Sequence, residues 1–113
     1  MSGITTHVLD VSIGKPAAGI DVRLERKSGD GEWSMIGSQR TDGDGRAREL
    51  DSTGDLSAGV YRLTFDVGSY FAQKQIESFY AEIVIAFSVK DASQHYHVPL
   101  LLSPFGYSTY RGS

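Results

Sequence analysis

The sequence predicts an all-β fold: an eight-stranded antiparallel β-sandwich with one short helix after the fifth strand. Three observations carry this expectation. Apolar residues recur with period two and are largely β-branched or aromatic. Turn-forming residues, among them most of the 13 Gly, fall between those runs. A chain of 113 residues buries about two thirds of the surface it exposes when unfolded, enough for one core and not two. Residues 1–113 are therefore expected to form a single domain.

The first strand is expected at His7-Val8-Leu9-Asp10-Val11, closed by the turn Gly14-Lys15-Pro16. From Ile20 to Arg26 the chain alternates cleanly, with Ile20, Val22 and Leu24 inward and charges outward, as in a sheet with one wet face. Ser28-Gly29-Asp30-Gly31 then turns it into a third strand over Glu32 to Gln39, a hairpin. A second turn, Thr41-Asp42-Gly43-Asp44-Gly45, leads into Arg46 to Leu50, and a polar loop runs from Asp51 to Ala58. Alternation returns in Val60 to Asp66, the fifth strand. Phe71, Ala72, Gln75 and Ile76 fall at helical spacing with no Pro to interrupt, which predicts the helix over Val67 to Glu77. Tyr80 to Val89 and His95 to Leu102 form the sixth and seventh strands, and Pro104-Phe105-Gly106 bends the chain into a last one over Tyr107 to Arg111.

Composition removes several functional classes. With 11 Lys+Arg against 14 Asp+Glu and a net charge of -3, the chain lacks the clustered positive charge that nucleic acid or an anionic membrane would recruit, so neither partner is expected. It has no Cys, which excludes disulfides, thiolate metal sites and a Cys nucleophile. Without Asn, N-linked glycosylation has no acceptor. The longest apolar cluster, Val98 to Leu102, falls far short of the ~20 residues that span a bilayer. Met1 to Thr6 is short and polar, unlike an export signal, and the expected setting is the cytoplasm.

Chemistry then falls to the 3 His. Side-chain alternation puts His7, Leu9 and Val11 on one face of the first strand, and His95, His97, Pro99 and Leu101 on one face of the seventh. Both faces are polar at one end and apolar beyond. An unpaired buried polar group costs about 1–3 kcal/mol, so these faces are expected to meet something other than the sandwich core. The seventh strand is apolar on both sides, with Val98, Leu100 and Leu102 opposite Pro99 and Leu101, and an apolar face left over marks an association surface. Pro99, lacking an N–H, is expected at a strand edge or bulge. A homo-oligomer whose interface includes the His95 to Leu101 face follows.

The same residues also fit plainer roles: His97 as a structural histidine bonded at that interface, His7 as an exposed strand-end histidine, Arg46 as a solvated hairpin residue. A metal site of His7, His95 and His97 lacks a carboxylate at telling spacing. Arg40-x-Asp42-x-Asp44-Gly45 has Arg where a calcium loop needs its first acid. Gly106-Tyr107-Ser108-Thr109-Tyr110 lacks the second Gly of a nucleophile elbow. No metal and no cofactor is expected.

Longer strings are more specific. Thr6-His7-Val8-Leu9-Asp10, Gly14-Lys15-Pro16-Ala17, Asp44-Gly45-Arg46, Tyr61-Arg62-Leu63-Thr64-Phe65-Asp66 and His95-Tyr96-His97-Val98-Pro99-Leu100-Leu101-Leu102-Ser103-Pro104 occur in that order, and the chain closes on Tyr107-Ser108-Thr109-Tyr110-Arg111-Gly112-Ser113. Together they resemble the transthyretin-related 5-hydroxyisourate hydrolases, whose terminal Tyr-Arg-Gly-Ser separates them from the transthyretin hormone carriers. The resemblance implies a transthyretin-like sandwich of two four-stranded sheets with Greek-key connections. It further implies dimers joined by sheet extension and a homotetramer, a dimer of dimers, with its sites in a channel at the dimer–dimer interface. His7, Arg46, His97 and the terminal Tyr110-Arg111-Gly112-Ser113 are implied to line each site.

The implied substrate is 5-hydroxyisourate, an intermediate of urate degradation towards allantoin. Water opens its N1–C6 cyclic amide to give 2-oxo-4-hydroxy-4-carboxy-5-ureidoimidazoline. Such a step needs a base for the water proton, an acid for the leaving nitrogen, and a cation or donors for the oxyanion. Imidazole titrates near neutrality, so His7 and His97 suit the first two tasks, and the spacing leaves open which is the base. The reading adopted has His97 orienting water with His7 assisting, while Arg46 holds substrate oxygens and the oxyanion. Tyr110, Ser108, Arg111, Gly112 and Ser113 are expected to shape the pocket, with His95 and Ser103 supporting from behind. The imide-like carbonyl is already electrophilic, so neither metal nor covalent nucleophile is required. The alternative is a non-catalytic carrier of a small hydrophobic ligand in the tetramer channel. A carrier has no use for His7, Arg46, His97 and that terminus together.

Overall fold

The computed structural model describes residues 3–51 and 56–113. Nine strands and one helix lie among them: β1 (Ile4–Asp10), β2 (Lys15–Pro16), β3 (Asp21–Lys27), β4 (Trp33–Arg40), β5 (Arg46–Ala47), β6 (Gly59–Phe65), α1 (Val67–Gln73), β7 (Ile83–Val89), β8 (Tyr96–Ser103) and β9 (Gly106–Thr109). One sheet has the order β4-β3-β6-β7 and is antiparallel throughout. The other runs β2-β1-β8-β9, with β5 also pairing β1. Part of the polar loop expected from Asp51 to Ala58 lies outside the described residues.

The predicted sandwich is present, with three corrections. Lys15–Pro16, expected as part of a turn, pairs with β1 through Leu9↔Pro16 and Asp10↔Lys15, which makes the ninth strand. Since β5 takes the preceding stretch of the same β1 edge through Thr6↔Ala47 and His7↔Arg46, the sheet has five strands and not four. β1 and β8 pair in parallel, from Ile4↔Tyr96 to Asp10↔Leu102, so the sandwich is not wholly antiparallel. Parallel neighbours far apart in sequence leave no local signature, because no turn joins them.

The helix is shorter than its periodicity suggests. Asp66 caps it by accepting from the Ser69 N–H at 3.3 Å. At the other end Gln75 adopts φ 58, and its N–H bonds the Ala72 carbonyl while the Ile76 N–H reaches back to the Phe71 carbonyl at 3.0 Å. That pair of bonds closes a helix with a left-handed residue and leaves Gln75 and Ile76 outside it, despite their spacing.

Pro99 also departs from expectation, lying inside β8 between β1 and β9. It is nonetheless where a ladder lapses. The β8–β9 pairing stops at Leu100↔Thr109 and resumes only as a single bridge, His97↔Gly112. A residue without an N–H cannot complete the rungs between them, and the Thr109 hydroxyl donates to the Pro99 carbonyl at 2.7 Å instead.

The two sheets close on Val8, Val22, Leu24, Leu63, Phe65, Leu100 and Leu102, with Phe71 from α1, all essentially buried. Asp10, at the inward end of β1, is fully buried as well. It accepts from the Tyr70 hydroxyl at 2.8 Å and from the Ser12 N–H at 3.1 Å, which ties β1 to α1. Burial first, then the bond to Asp10, pushes the Tyr70 phenol well above its ordinary pKa, so it is a permanent donor. No helix among the described residues is long and apolar enough to cross a membrane.

Tyr70→Phe removes that donor and leaves a buried carboxylate short of one partner. The expected loss is about 1–3 kcal/mol of stability, read from urea unfolding; an unchanged midpoint contradicts the role given to this contact.

Candidate active site

Thr5, His7 and Leu9 alternate onto the outward face of β1, and the parallel register sets them against His97, Pro99 and Leu101 of β8. The faces inferred from the sequence thus merge into one. His7 also lies opposite Arg46, the first residue of β5. A cleft of about 250 Å³ opens on this face, lined by Thr5, Thr6, Arg46, Arg48, His95, His97 and Ser113. That is slightly below the ~300–1,000 Å³ of pockets for drug-sized molecules, so it suits a small ligand.

The Asp-Gly-Asp-Gly turn places Arg46. Asp42 Oδ1 accepts from the N–H groups of Asp44 at 2.9 Å and Arg46 at 3.0 Å, and the Asp42 N–H bonds the Arg46 carbonyl. The Arg46 N–H is the main reason the Asp42 carboxyl lies below its usual pKa. The turn docks on β1 because the Gly45 carbonyl accepts from the Val8 N–H at 2.7 Å. Gly45 has φ 76, and a Cβ there would sit 2.4 Å from the Val8 carbonyl oxygen, so only glycine fits. His7 completes the corner by donating from Nε2 to the Asp44 carbonyl at 2.8 Å. A carbonyl only accepts; in the neutral ring, then, Nε2 carries the proton and Nδ1 the lone pair.

The chain terminus covers the other side. The Gly112 N–H bonds the His97 carbonyl at 2.8 Å, and a Cβ on Gly112 would fall 2.6 Å from His97 Cδ2. Glycine therefore lets the tail lie against the imidazole and brings Ser113 to the cleft. Arg111 is held outside it, donating to Gln94 Oε1 at 3.0 Å with its guanidinium over the Tyr96 ring. Desolvation is the first cause that lowers the His97 pKa below the ordinary imidazole value, followed by the positive charges of Arg46, His95 and His7. His97 is neutral at pH 7.

Of the residues singled out from the sequence, the fold gathers Arg46, His95, His97 and Ser113 around the cleft, with His7 beside Arg46 and Gly112 against His97. His95 lies at the cleft itself and is exposed. Tyr110 and Arg111 line a different, apolar cleft with Ile85, Phe87, Tyr96 and Val98. Ser108 pairs with Leu101, four residues along β8 from His97, and Ser103 donates to the Gly106 carbonyl across the last hairpin. Thr5 and Arg48 were not anticipated. Thr5 shares the alternation of His7, but the first strand was expected to begin only at His7. Arg48 repeats Arg46 at strand spacing.

A two-sheet sandwich with imidazoles and guanidiniums gathered on an outward sheet face defines a transthyretin-like protein with a polar, cationic site. The chain belongs to the HIUase/Transthyretin family, whose model matches residues 4–112. It is 50% identical to the 5-hydroxyisourate hydrolase of Caulobacter vibrioides over the whole of both chains. The crystal structure of Klebsiella pneumoniae 5-hydroxyisourate hydrolase superposes with a TM-score of 0.84 at 37% identity, covering 97% of this chain and 98% of that one. Sea bream transthyretin in complex with thyroxine superposes with a TM-score of 0.91 at 31% identity, covering 97% and 94%. Fold likeness alone therefore does not separate hydrolase from carrier.

Gly112→Ala pushes the tail off the imidazole and rehydrates it. The His97 pKa is expected to rise toward the ordinary value, measured by NMR titration of its Cε1–H resonance; a fixed midpoint means the tail does not desolvate the ring.

Proposed function

We propose that this protein hydrolyses 5-hydroxyisourate at the N1–C6 cyclic amide, in the cleft formed by His97, Arg46 and the chain terminus. The observation that carries this reading is a neutral, half-buried imidazole beside a fixed guanidinium, in a chain half identical to a full-length hydrolase. His97, with its lone pair free at neutral pH, takes the proton from water as it attacks the carbonyl. Arg46 stabilises the oxyanion, and its charge needs no reorganisation as the transition state forms. His7, oriented by the Asp44 carbonyl, lies beside Arg46 and assists at the leaving nitrogen from Nδ1, which has a proton to give in the imidazolium form. The terminal residues close the cleft around a small, polar ring.

A carrier of an apolar ligand is the competing class, and the lining argues against it. Two arginines and two histidines at one cleft impose a desolvation cost that an apolar ligand does not offset. We assign the functional unit as a homotetramer, a dimer of dimers with its sites at the dimer–dimer interface. Leu9 and Leu101 continue the outward face beyond the histidines, and Val11 and Ile13 stand exposed just past β1. Apolar area of this kind is covered by a second copy.

The test generates 5-hydroxyisourate in situ from urate with urate oxidase and follows its ultraviolet decay. Acceleration over the spontaneous rate is expected, and its absence sinks the reading. His97→Asn and Arg46→Glu are each expected to lower turnover about a hundredfold with the oligomer intact by gel filtration. The pH profile carries a sign. Because the base must be deprotonated and its pKa is lowered, kcat/KM holds as pH falls past the ordinary imidazole value and drops only below it. A drop already above that value rules out His97 as the base.

A further inference from the structure

Among the described residues at the cleft, Thr5 is the one whose side chain hydrogen-bonds two histidines. Its Oγ1 lies 2.8 Å from His97 Nδ1 and 2.9 Å from His95 Nε2, and the side chain is buried beneath them. A hydroxyl has a single proton. That proton can go to only one of the two nitrogens; when it is spent on one neutral ring, the other ring donates into Oγ1, and the two tautomers are set in opposite senses. We propose that Thr5 is a positioning residue that holds His97 as the Nδ1–H tautomer, turns its Nε2 lone pair to water, and links it to His95 as a proton outlet.

The proposal rests on the hydrolase reading and deepens it. In the resting arrangement His97 Nδ1–H donates to Thr5 Oγ1, and Thr5 Oγ1–H donates to His95 Nε2. When water adds to the carbonyl, its proton goes to His97 Nε2. The Nδ1 proton can then pass to Oγ1 as the Oγ1 proton passes to His95 Nε2, which leaves His97 and Thr5 neutral and His95 as imidazolium. No atom or charge is gained or lost.

Two features favour that direction. A cation on His97 faces Arg46 and Arg48 from the β5 side, His7 from β1 and His95 just before its own strand. His95 is exposed, so water solvates the charge there. The reverse arrangement, with His95 donating, places a proton on His97 Nε2 and removes the base. Loss of the productive tautomer by itself abolishes most of a histidine's catalytic effect.

The experiment reads tautomer and turnover separately. Imidazole ¹⁵N shifts of the wild-type protein at neutral pH are expected to show His97 with protonated Nδ1 and bare Nε2; the opposite pattern overturns the proposal whatever the substrate. Thr5→Val keeps the branched shape and is expected to mix the His97 tautomers, lowering kcat about tenfold to a hundredfold with KM within about twofold. Thr5→Ser restores both readouts. His95→Phe is expected to lower kcat like Thr5→Val, and the double variant to be no worse than either. Additive losses, or a Thr5→Val enzyme with wild-type kcat, also overturn it. Tautomer shifts as expected with no hydrolysis by any form would refute the hydrolase reading and not the lock.

Discussion

Parallel pairing of β1 with β8 is the constraint on which this molecule turns. It brings Thr5 and His97, 92 residues apart, into one register, and fills a single face of one sheet with the polar groups of two strands. Each strand alone would present histidine at the rim of an apolar stripe. Side by side they make a concave, polar surface whose opposite side is core, with Val8 and Leu100 buried directly beneath. Backbone hydrogen bonds therefore position the polar groups of the cleft, and the side chains need only point outward. Sites carried on strands hold their geometry more tightly than sites on free loops.

Two further devices complete the surface, and both depend on a missing side chain. Gly45 lets the Asp42 turn dock against β1 and delivers Arg46 opposite His7. Gly112 lets the tail lie on the His97 ring. One sets the cation; the other covers the His97 ring. Desolvation and positive neighbours act together on His97, lowering its pKa below the ordinary imidazole value beside the Arg46 guanidinium.

Much of this was legible in the chain. Period-two alternation located the long strands, most cleanly β3, where Val22 and Leu24 are buried and Asp21 and Arg23 exposed. The shared face of His95, His97, Pro99 and Leu101 followed from the same rule. Legibility failed where structure depends on contacts between distant segments. Lys15–Pro16 has no strand character of its own and pairs because β1 offers an edge. Pro99 looked like an edge residue but sits inside β8, at the rungs that β9 leaves open. Gln75 carries the helical period, yet the helix has already closed. Tyr110 and Arg111 sit three and two places before Ser113 but face an apolar cleft, because Arg111 is drawn to Tyr96 and Gln94.

By itself the sequence determined the fold class, the family and the residue types available for chemistry. Polar pattern and short motifs are local properties, and the absence of Cys removed thiolate chemistry. Tertiary structure alone decided the parallel register, the docking of the turn on β1 and the burial of His97. It also revealed Thr5 between two imidazoles. Those features arise from hydrogen bonds and desolvation between segments far apart in the chain, and no single stretch of residues encodes them.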